Sequence, residues 1–274
     1  MTPPNLKMAI LIDGDNADAE LIDHILNEVA KFGKVTIKRI YADWTLPQMT
    51  KWKAQLNKYA IRPMQKFSYT TGKNSTDTAL IIDAMDIMYH KLADGFCIVS
   101  SDSDYTGIAH RLREEGLFVM GIGKSHTPEA FVKACENFIY TEILRPAKKE
   151  TPKPAIAAPK GKEKLKEKAK ENPGAPLAPA PKTQPTKLTE LTNKITKKPI
   201  DLELVNNAYD MAVDDIKGHA LASQLGVAFK KIDPTFDIRN YGFSSLRKFL
   251  EALNPQYETV VHDDKSTISL KRID

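Results

Sequence analysis

With only two cysteines in 274 residues, a disulfide framework and a cysteine-rich zinc site are both poor readings of this chain. Cys97 lies in an apolar, strand-like run and Cys135 in a helical one, so both read as small core residues of a reducing, cytoplasmic protein. The histidines (His24, His90, His110, His126, His219 and His262) share no ligand spacing such as HExxH. No GxSxG elbow is present, which disfavours a Ser-His-Asp hydrolase. Gly121-Ile-Gly-Lys124 has neither a Walker A spacing nor a GxGxxG, so no nucleoside-triphosphate site is supported. Ahead of the first charged loop there are only five apolar residues in a row, too few for a signal-peptide core or a membrane span.

Charge is plentiful but unevenly placed. Residues 1–144 carry 16 Lys/Arg and 18 Asp/Glu, residues 145–198 carry 15 and 5, and residues 199–274 carry 9 and 12. The positive excess behind the overall +5 therefore sits in the middle segment, which also holds nine of the 17 prolines. Such a segment buries too little apolar surface to offset the entropy of ordering it, so 145–198 is expected to be a disordered Lys/Pro-rich linker. It is either a plain solvated tether or one that also holds nucleic-acid phosphates. The expected domains are 1–144 and 199–274.

In the first domain, short apolar runs alternate with helical periodicity. Strands are expected at 9–13, 35–42, 62–66, 96–100 and 118–122, and helices at 18–32, 47–58, 76–92, 105–115 and 128–135. This alternation predicts an α/β fold, one parallel sheet with helices on both faces. Gly33 and Gly116 fall where left-handed helix caps are expected. In the last domain, helices at 201–212, 219–230 and 244–253, then a strand pair at 257–261 and 267–270, predict a small winged helix-turn-helix.

Three acidic clusters carry the chemistry: Asp13-Gly14-Asp15-Asn16, Ser75-Thr76-Asp77 and Ser101-Asp102-Ser103-Asp104. The first and third directly follow apolar strands, so they arrive together at the edge where open α/β sheets bind ligands. Crowded carboxylates repel unless a cation lies between them, and hard oxygen donors suit Mg²⁺ or Mn²⁺. An ionised Asp13 closing an apolar strand is costly without a partner. Asp15, Asn16, Asp77, Asp102 and Asp104 also have plain readings as caps and turn residues. Asp83 and Asp86 lie away from the face of Asp77 and read as solvated or supporting groups. Lys73 and Lys124 are the cations nearest to these clusters, as solvated lysines or as phosphate contacts.

Residues 8–144 resemble the NYN domain family, a PIN-like (Rossmann-like) nuclease fold of the LabA-like type, through AILIDGDN (9–16), GKNSTDTALIIDAMD (72–86) and IVSSDSDY (98–105). Residues 200–274 resemble an OST-HTH (LOTUS) domain, most clearly in YGFSSLRKFLEAL (241–253). The first resemblance implies a metal-dependent endoribonuclease with ligands at Asp13, Asp77, Asp102 and Asp104, and with Asn16 orienting substrate or water. Ser101, Lys73 and Lys124 would touch substrate. The second implies an RNA- or protein-binding module, with Arg247 and Lys248 as contacts beside Lys230, Lys231 and Arg239. Tyr241 and Phe243 are either stacking groups or part of a buried stripe. The expected partner is single-stranded RNA, with a protein partner of the C-terminal domain as a further possibility and no membrane.

Two other functions compete. Asp13-x-Asp15 also resembles the start of a haloacid-dehalogenase-type phosphatase, but Ala17 and the two-residue spacing of Asp102 and Asp104 depart from that pattern. The other is a non-catalytic RNA-binding protein built on the nuclease fold.

Overall fold

The computed structural model describes residues 6–67, 75–145, 198–214, 218–262 and 267–273. The expected linker and Lys73 lie outside these residues, apart from Arg145 and Lys198 at the linker's ends. No helix among the described residues is long and apolar enough to cross a membrane.

The N-terminal region is a six-stranded, wholly parallel sheet. Its strands are β1 (Leu6–Asp13), β2 (Gly33–Ala42), β3 (Arg62–Gln65), β4 (Gly95–Val99), β5 (Phe118–Gly123) and β6 (Asn137–Tyr140), in the order β3-β2-β1-β4-β5-β6. The run Met8–Ile12 is apolar at every position because both its faces are covered. Met8, Ile10 and Ile12 pack with Ile22, Ile25 and Val29 of α1 (Ile22–Ala30) and Trp52 of α2 (Trp52–Tyr59). Ala9 and Leu11 face the other way. They join Leu80, Ala84 and Ile87 of α3 (Ser75–Tyr89), Leu112 of α4 (Thr106–Glu114) and Phe131 of α5 (Glu129–Ala134). A four-residue α6 (Thr141–Leu144) ends the region.

The chain winds outward from β1 to β3, then returns through α3 to β4 and winds outward the other way. Crossovers of one hand travelling in opposite directions place their helices on opposite faces, as observed. The gap between the C-terminal ends of β1 and β4 is therefore the topological switch point, where such sheets open a crevice.

Edge strand β6 was not among the expected strands, since four residues directly after a helix give too short a run to read. Gly33 is not a left-handed cap. It begins β2, where an added Cβ would lie 2.1 Å from the Leu6 carbonyl oxygen, so glycine serves the close approach of two strands. Gly116 does cap α4, with φ +75°.

The C-terminal region has α7 (Leu202–Ala212), β7 (Val213–Asp214), β8 (His219–Leu221), α8 (Ala222–Ile232), α9 (Leu246–Glu251), β9 (Tyr257–Val261) and β10 (Ile268–Arg272). The four strands form an antiparallel sheet ordered β7-β8-β10-β9. Residues 219–221 are strand rather than the first turn of a helix, because Ala220 and Leu221 pair with Leu270 and Ser269. That pairing is long-range and leaves no mark on local periodicity. Phe229, Phe249, Leu250, Tyr241 and Tyr257 fill this region's own core. Tyr241 is thus buried core, and Phe243 is half-buried beside Phe249.

Candidate metal centre

Asp13 ends β1 at 1% exposure. An ionised carboxylate so placed costs several kcal/mol unless hydrogen bonds replace its water. Three do so. Asn16 Nδ2 donates to Oδ2 at 2.6 Å, Ser100 Oγ to Oδ2 at 2.8 Å, and the Asp15 amide to Oδ1 at 3.1 Å. Each hydrogen bond to a charged group is worth about 1.5–3 kcal/mol, enough to hold the group in place. Burial still outweighs them and leaves the Asp13 carboxyl titrating above its ordinary value of 3.8.

Ser100 joins the two central strands. While donating to Asp13 it accepts the Asp102 amide at 3.1 Å, so the end of β1 sets the loop after β4. Asp102 Oδ1 then accepts the Asp104 amide at 3.0 Å and caps the short 3-10 helix Ser103–Tyr105. Capping and ligation are compatible here, since capping uses one carboxylate oxygen. Ser101 is engaged as well, because its Oγ accepts the Lys124 amide at 2.9 Å and ties the loops after β4 and β5 together.

Asp77 lies in the first turn of α3. The buried Tyr105 hydroxyl donates to its Oδ1 at 2.6 Å. Asp77, Asp102 and Asp104 each present one carboxylate oxygen, and these three atoms lie within 4.8 Å of one another. At an effective dielectric near 20, unit charges at that distance repel by about 3 kcal/mol per pair, less where Asp104 meets solvent. Burial first, and then the fields of Asp13, Asp102 and Asp104, raise the Asp77 pKa above 3.8. Tyr105 is held strongly in its neutral form by burial first and then by Asp13, Asp77 and Asp102. The donors are hard and anionic and converge on one point, which fits Mg²⁺ or Mn²⁺.

Of the expected ligands, the structure brings Asp77, Asp102 and Asp104 together. Asp13 lies beneath them, close enough to raise the Asp77 pKa, with both oxygens already accepting hydrogen bonds. Asn16 is fixed against Asp13. Sequence reasoning passed over three residues, Ser100, Tyr105 and Asp43, and weighed Asp15 as a site residue or a cap. Ser100 and Tyr105 are the positioning groups just described. Exposed Asp15 accepts from Thr76 Oγ1 at 3.4 Å and titrates high, through burial first and then the fields of Asp77 and Asp43. Asp43 is 7% exposed, directly follows β2, and accepts from Gln65 Nε2 at 3.1 Å and Thr45 Oγ1 at 2.6 Å. An acid directly after the short apolar end of a strand, residues 40–42, was the available signal for Asp43.

Two expectations are corrected, for Asp83 and Arg239. Asp83 is not solvated. It is ion-paired with Arg39 and accepts the Tyr41 hydroxyl, which pins α3 to β2. Arg239 is not a free surface cation, since it pairs with Asp237 and Glu28, both at 2.6 Å. The glycines of Gly121-Ile-Gly123 serve packing. A Cβ at Gly123 would sit 2.4 Å from the Ser100 carbonyl oxygen, and one at Gly121 2.4 Å from the Phe138 ring. Arg247 is exposed but paired with Glu251 at 2.8 Å, while Lys248 is exposed.

The NYN domain model matches residues 7–144. The chain belongs to the NYN domain family. Its parallel sheet flanked by helices is the family's PIN-like α/β fold, a nuclease-like fold, and the acidic group sits at that fold's switch point. In this NYN protein the OST-HTH/LOTUS domain model also matches residues 181–269, of which 181–197 lie outside the described residues. No curated protein matches the chain. One similar solved structure is a protein of unknown function, VPA0982, from Vibrio parahaemolyticus RIMD 2210633. It is 19% identical with a TM-score of 0.42, over 50% of this chain and 94% of that one.

Proposed function

We propose that this NYN protein is a divalent-metal-dependent endoribonuclease with a C-terminal RNA- or partner-binding module. The observation that carries the reading is the convergence of Asp77, Asp102 and Asp104 oxygens within 4.8 Å at the switch point of the sheet. In this reading those three acids hold Mg²⁺ or Mn²⁺, and Asp13 supports them from below. A bound divalent ion supplies Lewis-acid polarisation of a phosphate and a more acidic bound water. The chain's own residues position everything else. Ser100 sets Asp102 relative to Asp13, Tyr105 orients Asp77, and Asn16 stands beside Asp13 at the rim where substrate or water would be oriented. Single-stranded RNA is the substrate this open, acidic edge fits, with Lys248 and Arg247 offering contacts on the C-terminal module, Ser101 and Lys124 near the acids, and Lys73, four residues before Asp77 in the sequence, as a further contact. The protein is expected to work in the cytoplasm.

The test is a labelled single-stranded RNA incubated with the full chain in Mn²⁺, Mg²⁺ or EDTA, beside Asp102→Asn. Cleavage that needs metal and is lost in the variant supports the reading. RNA that is bound but left intact under every metal would replace it with a binding protein on a nuclease fold.

A further inference from the structure

We infer that a cleft beside the acidic group is a subsite for one nucleotide of the substrate, with its phosphate held by Lys51, Lys124 and Arg145. The inference rests on the ribonuclease reading for the strand to which that nucleotide belongs. The cleft has a volume of about 240 Å³. That is just under the roughly 300 Å³ at which drug-sized pockets begin, a fit for a single mononucleotide.

Its walls differ in chemistry. Ala17 gives it a small apolar edge, the buried side chains of Ile25, Val99 and Ile122 close it, and Ser101 and Thr141 add hydroxyls. Lys51, Lys124 and Arg145 bring three cations from three separate parts of the chain: the end of the 3-10 helix before α2, the loop after β5, and the residue after α6. Among the described residues neither lysine ammonium is in an ion pair, and both side chains are exposed. Arg145 meets Asp18 at 3.4 Å, with the arginine side chain 53% exposed. Water screens such a pair, so a phosphate can take the guanidinium at little cost. Hydroxyls for a ribose beside three cations for a phosphate make a nucleotide a better fit than a bare anion.

The cleft is preorganised and continuous with the acids. The Lys124 amide is tied to Ser101, Thr127 Oγ1 donates to the Lys124 carbonyl at 2.6 Å, and Glu142 accepts the Ser125 amide at 2.9 Å. Asp15 and Asn16 line the cleft and also adjoin Asp77 and Asp13. A strand seated here leads directly past the carboxylates.

The experiment is calorimetric titration of the metal-free full chain with uridine 5′-monophosphate, adenosine 5′-monophosphate and, separately, inorganic phosphate. It compares wild type, Lys51→Ala/Arg145→Ala, and Lys53→Ala as an exposed control outside the cleft. Cleavage is not required, so a failed nuclease assay leaves this test intact. One-to-one nucleotide binding weakened at least about tenfold in the double variant and unchanged in the control is expected. Phosphate alone should bind more weakly than either nucleotide. Equal binding by the double variant, phosphate binding as tight as nucleotide, or no nucleotide binding at millimolar concentration would each overturn the subsite. Melting temperatures matching wild type confirm that the variants are folded.

Discussion

Helix α3 carries two carboxylates six residues apart with opposite surroundings. In the middle of the helix, Asp83 meets Arg39 and the Tyr41 hydroxyl, a group that closes its charge within the fold. In the first turn, Asp77 meets one neutral hydroxyl and three more acids. The first arrangement holds α3 on the sheet, and the second gathers negative charge at the sheet's ligand edge. A stable fold accepts such an imbalance where function uses it.

Exchanging the roles of these two acids by substitution tests that difference most sharply. Asp77→Asn should lower RNA cleavage at least about a hundredfold, the size of effect seen when a charge that stabilises a transition state is removed. Asp83→Asn should leave residual activity proportional to the folded fraction. Single-turnover cleavage beside a circular-dichroism melt separates the two, and equal activity losses would erase the distinction.

Stability should show the reverse order. Breaking the largely buried Asp83–Arg39 pair leaves an uncompensated charge and should cost about 3 kcal/mol. For a protein of this size that is a fall in Tm of roughly 6–12 °C. Asp77→Asn should instead raise the metal-free Tm at neutral pH.

That gain has a definite pH dependence. The Asp77 pKa is raised in the folded state, so between its unfolded value near 3.8 and its raised native value the native protein binds more protons than the unfolded chain. Wild-type stability therefore falls, relative to Asp77→Asn, as pH rises through that window. The Tm difference should be near zero at pH 4 and reach its plateau above the native pKa. Saturating Mn²⁺ should remove the difference or reverse it. A difference independent of pH and metal would mean that Asp77 carries no unbalanced charge.

The smallest effect should come from Tyr105→Phe. It removes the 2.6 Å hydrogen bond to Asp77 while keeping the buried ring. A hydrogen bond to a charged group contributes about 1.5 kcal/mol or more. The Mn²⁺ midpoint for cleavage should rise about tenfold, with little change in the rate at saturating metal. A changed saturating rate with an unchanged midpoint would give Tyr105 a different role.

Most of the strand and helix positions in the N-terminal region were legible because fully buried parallel strands write themselves as unbroken apolar runs such as 8–12 and 96–99. The acids that follow those runs were legible for the same reason, since the loop after a parallel strand opens at the ligand edge. Asp43 escaped because its strand alternates half-buried and exposed residues before turning apolar and buried only at its end. β6 and β8 escaped because each is defined by a distant partner.

The sequence by itself determined the alternation of elements, the apolar strands and the set of acids beyond their ends, all of which depend on local order along the chain. Only the tertiary structure decided which acids meet. It sorted Asp77 into the acidic group and Asp83 into an ion pair, recruited Ser100 and Tyr105 to hold that group, and drew Lys51, Lys124 and Arg145 around one cleft. The reason is physical. Electrostatic pairing depends on distance through space, and distances between residues 21 to 94 positions apart are fixed only when the sheet has brought its strands together.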